Sequence, residues 1–194
     1  MIADAAVYMG GALLIYYVML VGALTGYRGS LFLIPAIIAL GCIAIFRGAV
    51  GTDTAMYEAI IELSRSPGYD WGGREPGFVI LAEILSSVIE SNAIVIRAYA
   101  VIFVVGLLVV ITRADKDERF FILAYFVPAQ FFDYSMNVLR IGLATIFILL
   151  GMQFLRRGYL RGGVGYFVAS LFFHYSTRTA DSVPTLPPAC LHCN

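Results

Sequence analysis

The chain has 194 residues, 60% of them hydrophobic and only 13% charged, with 13 basic against 13 acidic side chains. Soluble domains carry about 25% charged residues and roughly half apolar ones, so the composition excludes an ordinary soluble domain. The balanced charge leaves no basic face for nucleic acid.

Ala5 to Leu24 is uncharged and long enough to span a bilayer, which takes roughly 20 apolar residues and about 17 at the short end. It is too long for a cleaved signal and has no basic region before it, so it reads as a signal anchor. "TGYRG", with Arg28, is the first turn, and Leu31 to Phe46 is a second apolar run near the lower limit. The chain then turns polar at "FRGAVGTDTAMYEA", where Arg47 closes the span. Asp53 or Thr52 is placed to cap the helix "TAMYEAIIELS". Its Met56, Ile60 and Leu63 fall on one face, and Glu58 and Glu62 on another. Asp53 and Tyr57, four apart, share a face. Asp53 suits a hydroxyl-binding or basic carboxylate and Tyr57 a ring stacked on a sugar; a cap and an interfacial tyrosine fit the same positions.

"PGYDWGG", with Tyr69 and Trp71, is a glycine-rich loop. Glu75, in "GGREPGF", is either a catalytic or hydroxyl-binding carboxylate or the partner of Arg74. In "GFVILAEILSSVIES", Glu83, Ser86, Ser87 and Glu90 form one polar stripe. Such a stripe is costly against lipid, so Gly77 to Ser91 reads as an outer-face amphipathic or re-entrant helix lining a cavity, with a tilted span as the alternative. Ala93 to Ile111 is a span containing Arg97. Phe120 to Leu155 has the length of two tilted spans. "FFDYSMN" is the turn between them, and Arg140 lies early in the second, Val138 to Leu155. Val164 to Phe173 is a short apolar run that ends at His174. A lone histidine is structural or, within a membrane, a candidate for function.

From Thr177 the chain reads "TRTADSVPTLPPACLHCN", without apolar patterning and with Pro184, Pro187 and Pro188 close together. Residues 177–194 therefore read as a disordered tail. Cys190, Cys193 and the imidazole between them make one cluster, whereas zinc sites take two separated ligand pairs; the sequence supplies no metal site.

Short basic loops stay cytoplasmic. "TRADKDER" holds Arg113, Lys116 and Arg119, and "RRGYLRGG" holds Arg156, Arg157 and Arg161. With both inside, Arg47, Arg97 and Arg140 share one depth near the outer face. Guanidinium forks suit phosphate oxygens. The three are therefore expected to converge on one outward-facing polar cavity with Asp53 and His174 near its rim. Each alone also fits a snorkelling side chain or a partner of Asp53, Glu83 or Asp133. The fold expected is all-α: residues 1–176 form a polytopic transmembrane helical bundle of about five to seven spans with outer-face amphipathic helices.

"FRGAVGTDTAMYEA", "REPGF", an arginine within a span, "LRIGLATIFILLGMQFLRRG" and "ASLFFHYS", in that order, resemble the EpsG family, Wzy-like exopolysaccharide and O-antigen polymerases. The resemblance implies the N-terminal part of a Wzy-like, GT-C-related membrane domain in the bacterial cytoplasmic (inner) membrane. It implies a glycosyltransferase joining undecaprenyl-diphosphate-linked oligosaccharides into a polymer for exopolysaccharide, capsule or O-antigen, with no cofactor. A flippase and a chain-length regulator are the implied protein partners. Asp53, Glu75 and His174 carry over as catalytic residues, and Arg47, Tyr57, Arg97 and Arg140 as substrate-binding ones. Family members continue past the histidine with further spans. On that reading the chain is a truncated copy, active or inactive, with its tail outside the family. Two alternatives stand beside it: a non-enzymatic transporter or accessory subunit binding anionic lipid-linked glycans, which needs only the arginine cavity, and an O-antigen ligase.

The loop charges yield a topology that can be measured. Lys116→Cys should resist an impermeant thiol reagent in intact cells, and Asp70→Cys should react. Labelling of position 116 from outside reverses the orientation.

Overall fold

The computed structural model describes residues 34–46, 53–66 and 75–174, together with residues 9–11, 13, 14, 17, 18 and 21. Among these every regular element is helical: α1 (Ile34–Ile45), α2 (Thr54–Ser64), α3 (Pro76–Val88), α4 (Asn92–Arg113), α5 (Lys116–Phe121), the π turn π1 (Ile122–Phe126), α6 (Val127–Phe132), a second π turn π2 (Asp133–Asn137), α7 (Leu139–Arg156) and α8 (Leu160–Phe173). Arg28, Arg47, Thr52, the loop with Tyr69 and Trp71, Arg74 and the 177–194 tail lie outside the described residues.

α4 is the axis of the molecule. It is uninterrupted for 22 residues, a rise of about 33 Å, and it packs against α1, α2, α3, α7 and π2. Val95, Tyr99, Phe103, Leu107 and Val110 recur at helical spacing along one side and are fully buried. The opposite side, with Ile94, Val101 and Val105, is exposed, as it is on a helix bordering lipid. By length and composition α4 and α7 can each cross a membrane.

The segment expected as two spans around "FFDYSMN" is built differently in its middle. The helical course runs on from α5 to Asn137, and the reversal falls on Val138 (φ −110°, ψ 59°). Pro128 explains the first irregularity. It has no N–H for the carbonyl one turn back, and just ahead of it the Val127 N–H reaches the Ile122 carbonyl, five residues back. The extra residue in that turn lets the helix pass the proline. The polar "DYSMN" stretch is helical too: the Val138 N–H bonds the Asp133 carbonyl at 2.9 Å.

The two basic segments meet at one end. Arg156 pairs with Asp115 and, at 3.5 Å, with Glu118, and Arg157 donates to the Arg113 carbonyl. Arg119 donates to the carbonyls of Ile111 and Ala114 at 2.9 and 2.8 Å. These cations cover the unsatisfied C-terminal carbonyls of α4, where positive charge is favoured. Asp115 accepts from the Glu118 N–H, and that bond, with Arg156, holds its carboxyl below the ordinary range. Gly158, at φ 82°, takes the left-handed conformation that closes α7 and turns the chain into α8. α8 starts four residues before the expected Val164.

α3 stays at the other end. Its 13 residues rise about 20 Å against a hydrocarbon core of about 30 Å. Its first residues adjoin Glu75, which pairs with Arg140 at the start of α7. Its last deliver the chain directly to the start of α4, where Arg65 of the α2 terminus donates to the Ile89 carbonyl (2.8 Å) and to Asn92 (3.1 Å). Both ends of α3 are therefore remote from the basic segments. α2 buries Thr54, Tyr57, Ile60 and Ile61, while Met56 and Leu63, grouped with Ile60 in the sequence, are 42% and 40% exposed. The aromatic rings of α3 and α4 bury Tyr57 in place of Met56.

Gly142 marks a close backbone contact at the start of α7: a Cβ there would lie 2.6 Å from the Tyr134 carbonyl oxygen. Gly165, on α8, has open space at the same position. Gly142→Ala should cost about 1–3 kcal/mol from overpacking, and Gly165→Ala should gain up to about 1 kcal/mol from helix propensity. Unfolding of the detergent-solubilised protein measures both; equal midpoints contradict the close approach.

Candidate functional site

The end of the bundle away from the basic segments gathers polar residues from four elements. Pro76 occupies the first turn of α3, where its missing N–H costs nothing, and this fixes Glu75 at the N-cap position. Glu75 makes no side-chain cap bond. Its buried carboxylate instead accepts from Arg140 Nη1 through Oε2 at 2.7 Å. The other oxygen, Oε1, lies 3.6 Å from Nδ1 of His174, the residue that ends α8. The pairing joins residues 65 apart in sequence. It satisfies a guanidinium set in an apolar helix, which otherwise costs at least about 2.5 kcal/mol.

Tyr57 completes the cluster from α2. It is fully buried, with its ring against Phe78 at 5.4 Å. Phe78 in turn stacks on Tyr99 at 4.8 Å, and the Tyr99 hydroxyl donates to the Phe78 carbonyl at 2.7 Å. This aromatic column occupies the Tyr57 ring face, so the expected stacking on a sugar is replaced by a hydroxyl aimed at Arg140. Burial pushes the phenol up, with the Arg140 charge opposing, and the group stays protonated at neutral pH.

The cluster is only partly satisfied. Tyr57 Oη, Arg140 Nε and His174 Nδ1 are buried, and none has a partner at hydrogen-bond geometry among the described residues. Buried polar atoms in native proteins are normally paired, with water or a ligand if not with protein. The side chains of Arg140 and His174 remain 27% and 38% exposed, so a ligand can reach them. The cluster thus offers a cationic fork, a protonated phenol, and a carboxylate beside an imidazole, the set needed to hold an anion and take up a proton.

The remaining candidates are placed differently. Asp53 sits at the N-cap of α2 without making the cap bond; its partly exposed carboxylate acts on Tyr57 only through its charge. Arg97 is exposed and makes no hydrogen bond or ion pair among the described residues. It stands about 200° around α4 from Tyr99, so it does not join Arg140 at Glu75. Arg47 lies outside the described residues. Glu83 is exposed, and Asp133 accepts from Asn137 at 3.1 Å; neither is the Arg140 partner. Phe78 and Tyr99 had no distinguishing signal in sequence beyond an aromatic at an apolar position.

A helical membrane protein with a half-buried arginine paired to a buried glutamate at one end of its bundle is the class these features define. Residues 30–183 match the EpsG family, and the chain belongs to that family, which is polysaccharide polymerase-like. The match runs past Ser176. No curated protein and no solved structure matches the chain.

The ion pair can be weighed directly. Glu75→Ala and Arg140→Ala should each destabilise by about 1–3 kcal/mol, because each leaves a charged group without its partner. The double variant should recover about 0.5–3 kcal/mol of the sum. Strict additivity in the double-mutant cycle contradicts the pairing.

Proposed function

We propose that this chain acts as a membrane polysaccharide polymerase on lipid-diphosphate-linked repeat units, with the Glu75–Arg140–His174 cluster at the outer face of the cytoplasmic membrane as its site. The single observation that carries the reading is the set of buried polar atoms on Tyr57, Arg140 and His174 that the described residues leave unpartnered around an ion pair. Membership of a polymerase-like family supports it.

The chemistry follows from the groups. A sugar hydroxyl of one lipid-linked unit attacks the anomeric carbon of the other. A C–O bond forms there, and the bond to the diphosphate oxygen breaks with its electron pair going to the leaving group. Arg140, through the N–H groups not bound to Glu75, and the Tyr57 hydroxyl stabilise the charge that develops on the diphosphate. The attacking hydroxyl gives its proton to the His174 imidazole. Glu75, 3.6 Å from Nδ1, is placed to orient the ring, as a carboxylate does for a catalytic histidine. Arg140 fixes the Glu75 carboxylate through its Oε2 at 2.7 Å.

Polymer formed from lipid-diphosphate-linked repeats by membranes carrying the full chain tests the reading. Arg140→Lys keeps the charge and loses the fork. It should lower the rate by about 10²–10³, the cost of losing a charge-stabilising donor. His174→Asn and Glu75→Gln should lower it by about 10²–10⁴, the usual yield of general base catalysis. Wild-type polymer from all three variants, at normal protein levels, overturns the assignment. A wild-type chain that binds the lipid diphosphate and makes no polymer points to the binding subunit instead.

A further inference from the structure

An apolar groove of ≈ 490 Å³ lies between α3 and α8, with Gly77, Ile80 and Ile84 in one wall and Gly165, Val168 and Phe172 in the other. Ile80, Ile84, Val168 and Phe172 are each about half exposed, at 52%, 58%, 49% and 49%. At one end the two helices touch: a Cβ on Gly77 would lie 2.8 Å from the Phe172 carbonyl oxygen. That contact stands between the groove and the polar cluster, and none of Glu75, Arg140 and His174 lines the groove. The α8 wall continues the other way. At about 100° per residue, Arg161, Gly165, Val168 and Phe172 fall within about 60° of one another around the helix. The line of the groove therefore reaches Arg161, one turn beyond Gly165. Arg161 is exposed and makes no hydrogen bond or ion pair among the described residues.

We infer that this groove seats an acyl chain of an anionic phospholipid of the surrounding bilayer, with the lipid phosphate at Arg161. Length and charge together select that occupant. From Arg161 to Phe172 α8 rises about 17 Å, and half of a hydrocarbon core of about 30 Å is about 15 Å. The stripe is thus one leaflet deep, and the Gly77–Phe172 contact ends the groove where a chain entering from the basic side would end. Tyr159, two residues before Arg161 and 63% exposed, marks the headgroup level, where tyrosine rings are favoured. Long side chains on a helix lean towards its N-terminus, which carries the Arg161 guanidinium away from the groove and towards that level. A guanidinium fork matches phosphate oxygens, and basic sites at the ends of membrane helices bind anionic headgroups. A second copy packed symmetrically through the same stripe would set two Arg161 charges against each other; a lipid phosphate neutralises one.

The test uses the full chain in phosphatidylcholine vesicles that contain a trace of either phosphatidylglycerol or phosphatidylcholine with a diazirine on one acyl chain. After irradiation, adducts on Ile80, Ile84 and Val168 should be about fivefold more abundant with the phosphatidylglycerol probe, the effect of one basic residue near an anionic headgroup. Adducts on the exposed Val101 and Val105 of α4 should be equal for the two probes and serve as the internal control for folded, inserted protein. Arg161→Gln should bring the groove ratio to about one, and Arg161→Lys, which keeps the charge, should retain most of the preference. Gly165→Leu fills the groove from a position with open space around it and should remove groove adducts of both probes while leaving those on Val101 and Val105. Equal groove yields in the wild-type chain, a preference that survives Arg161→Gln, or undiminished groove adducts in Gly165→Leu overturn the inference. So does a photo-crosslinking side chain at Val168 that joins two copies of the chain in place of lipid, which assigns the groove to a second copy.

Discussion

The Glu75–Arg140 ion pair is the interaction on which the end of the molecule away from the basic segments depends. An arginine near the start of an apolar helix needs an anion, and the nearest carboxylates in sequence are engaged or turned away. Asp133 holds Asn137. Glu75 supplies the anion from 65 residues upstream, and in doing so it anchors the start of α3 to the start of α7. Because Pro76 fixes the backbone at that point, the pair also sets where α3 begins and where Phe78 falls. Phe78 then carries Tyr57 on one face and Tyr99 on the other. One charge pair thus orders an aromatic column that ties α2 and α3 to the central helix.

At the basic end Arg119 and Arg157 cover the α4 terminus and Gln153 donates to the Val110 carbonyl at 2.9 Å, while Gln153 Oε1 is buried there without a partner among the described residues. At the other end, polar atoms are buried without protein partners around a charge pair. Unsatisfied groups of this kind cost about 1–3 kcal/mol each, which a fold tolerates where a ligand or water completes them. A charge pair among such atoms, with Arg140 and His174 partly exposed, distinguishes the cluster from the single Gln153 Oε1 at the basic end.

Arg140 serves two tasks in the proposed chemistry through different atoms. Nη1 binds Glu75, and Nε is buried without a partner among the described residues. A lysine presents one point charge and cannot divide itself in this way. His174, ending its helix beside the other carboxylate oxygen, is positioned by the same residue. The cluster is therefore a chain of groups, each oriented by the next, with Glu75 at its centre.

The sequence by itself determined the helices that stand on long apolar runs, because burial and length suffice to define them: α4 and α7 fall within two residues of the expected spans at either end. It also singled out Tyr57, Glu75, Arg140 and His174 one by one as candidates, since a polar group in an apolar context is conspicuous wherever it occurs. The tertiary structure decided their relations. Nothing local couples Glu75 to Arg140, and Arg74 or Asp133 was as close a partner by sequence. The sequence grouped Met56, Ile60 and Leu63 on one face of α2 without saying which side packs; the position of Phe78 against Tyr57 decided that Tyr57, Ile60 and Ile61 turn inward. The site of chain reversal moved to Val138 because a π turn can carry a polar stretch that composition alone marks as loop. Arg97 parted from Arg140 for a rotational reason: equal depth in two helices says nothing about the direction each side chain takes around its axis.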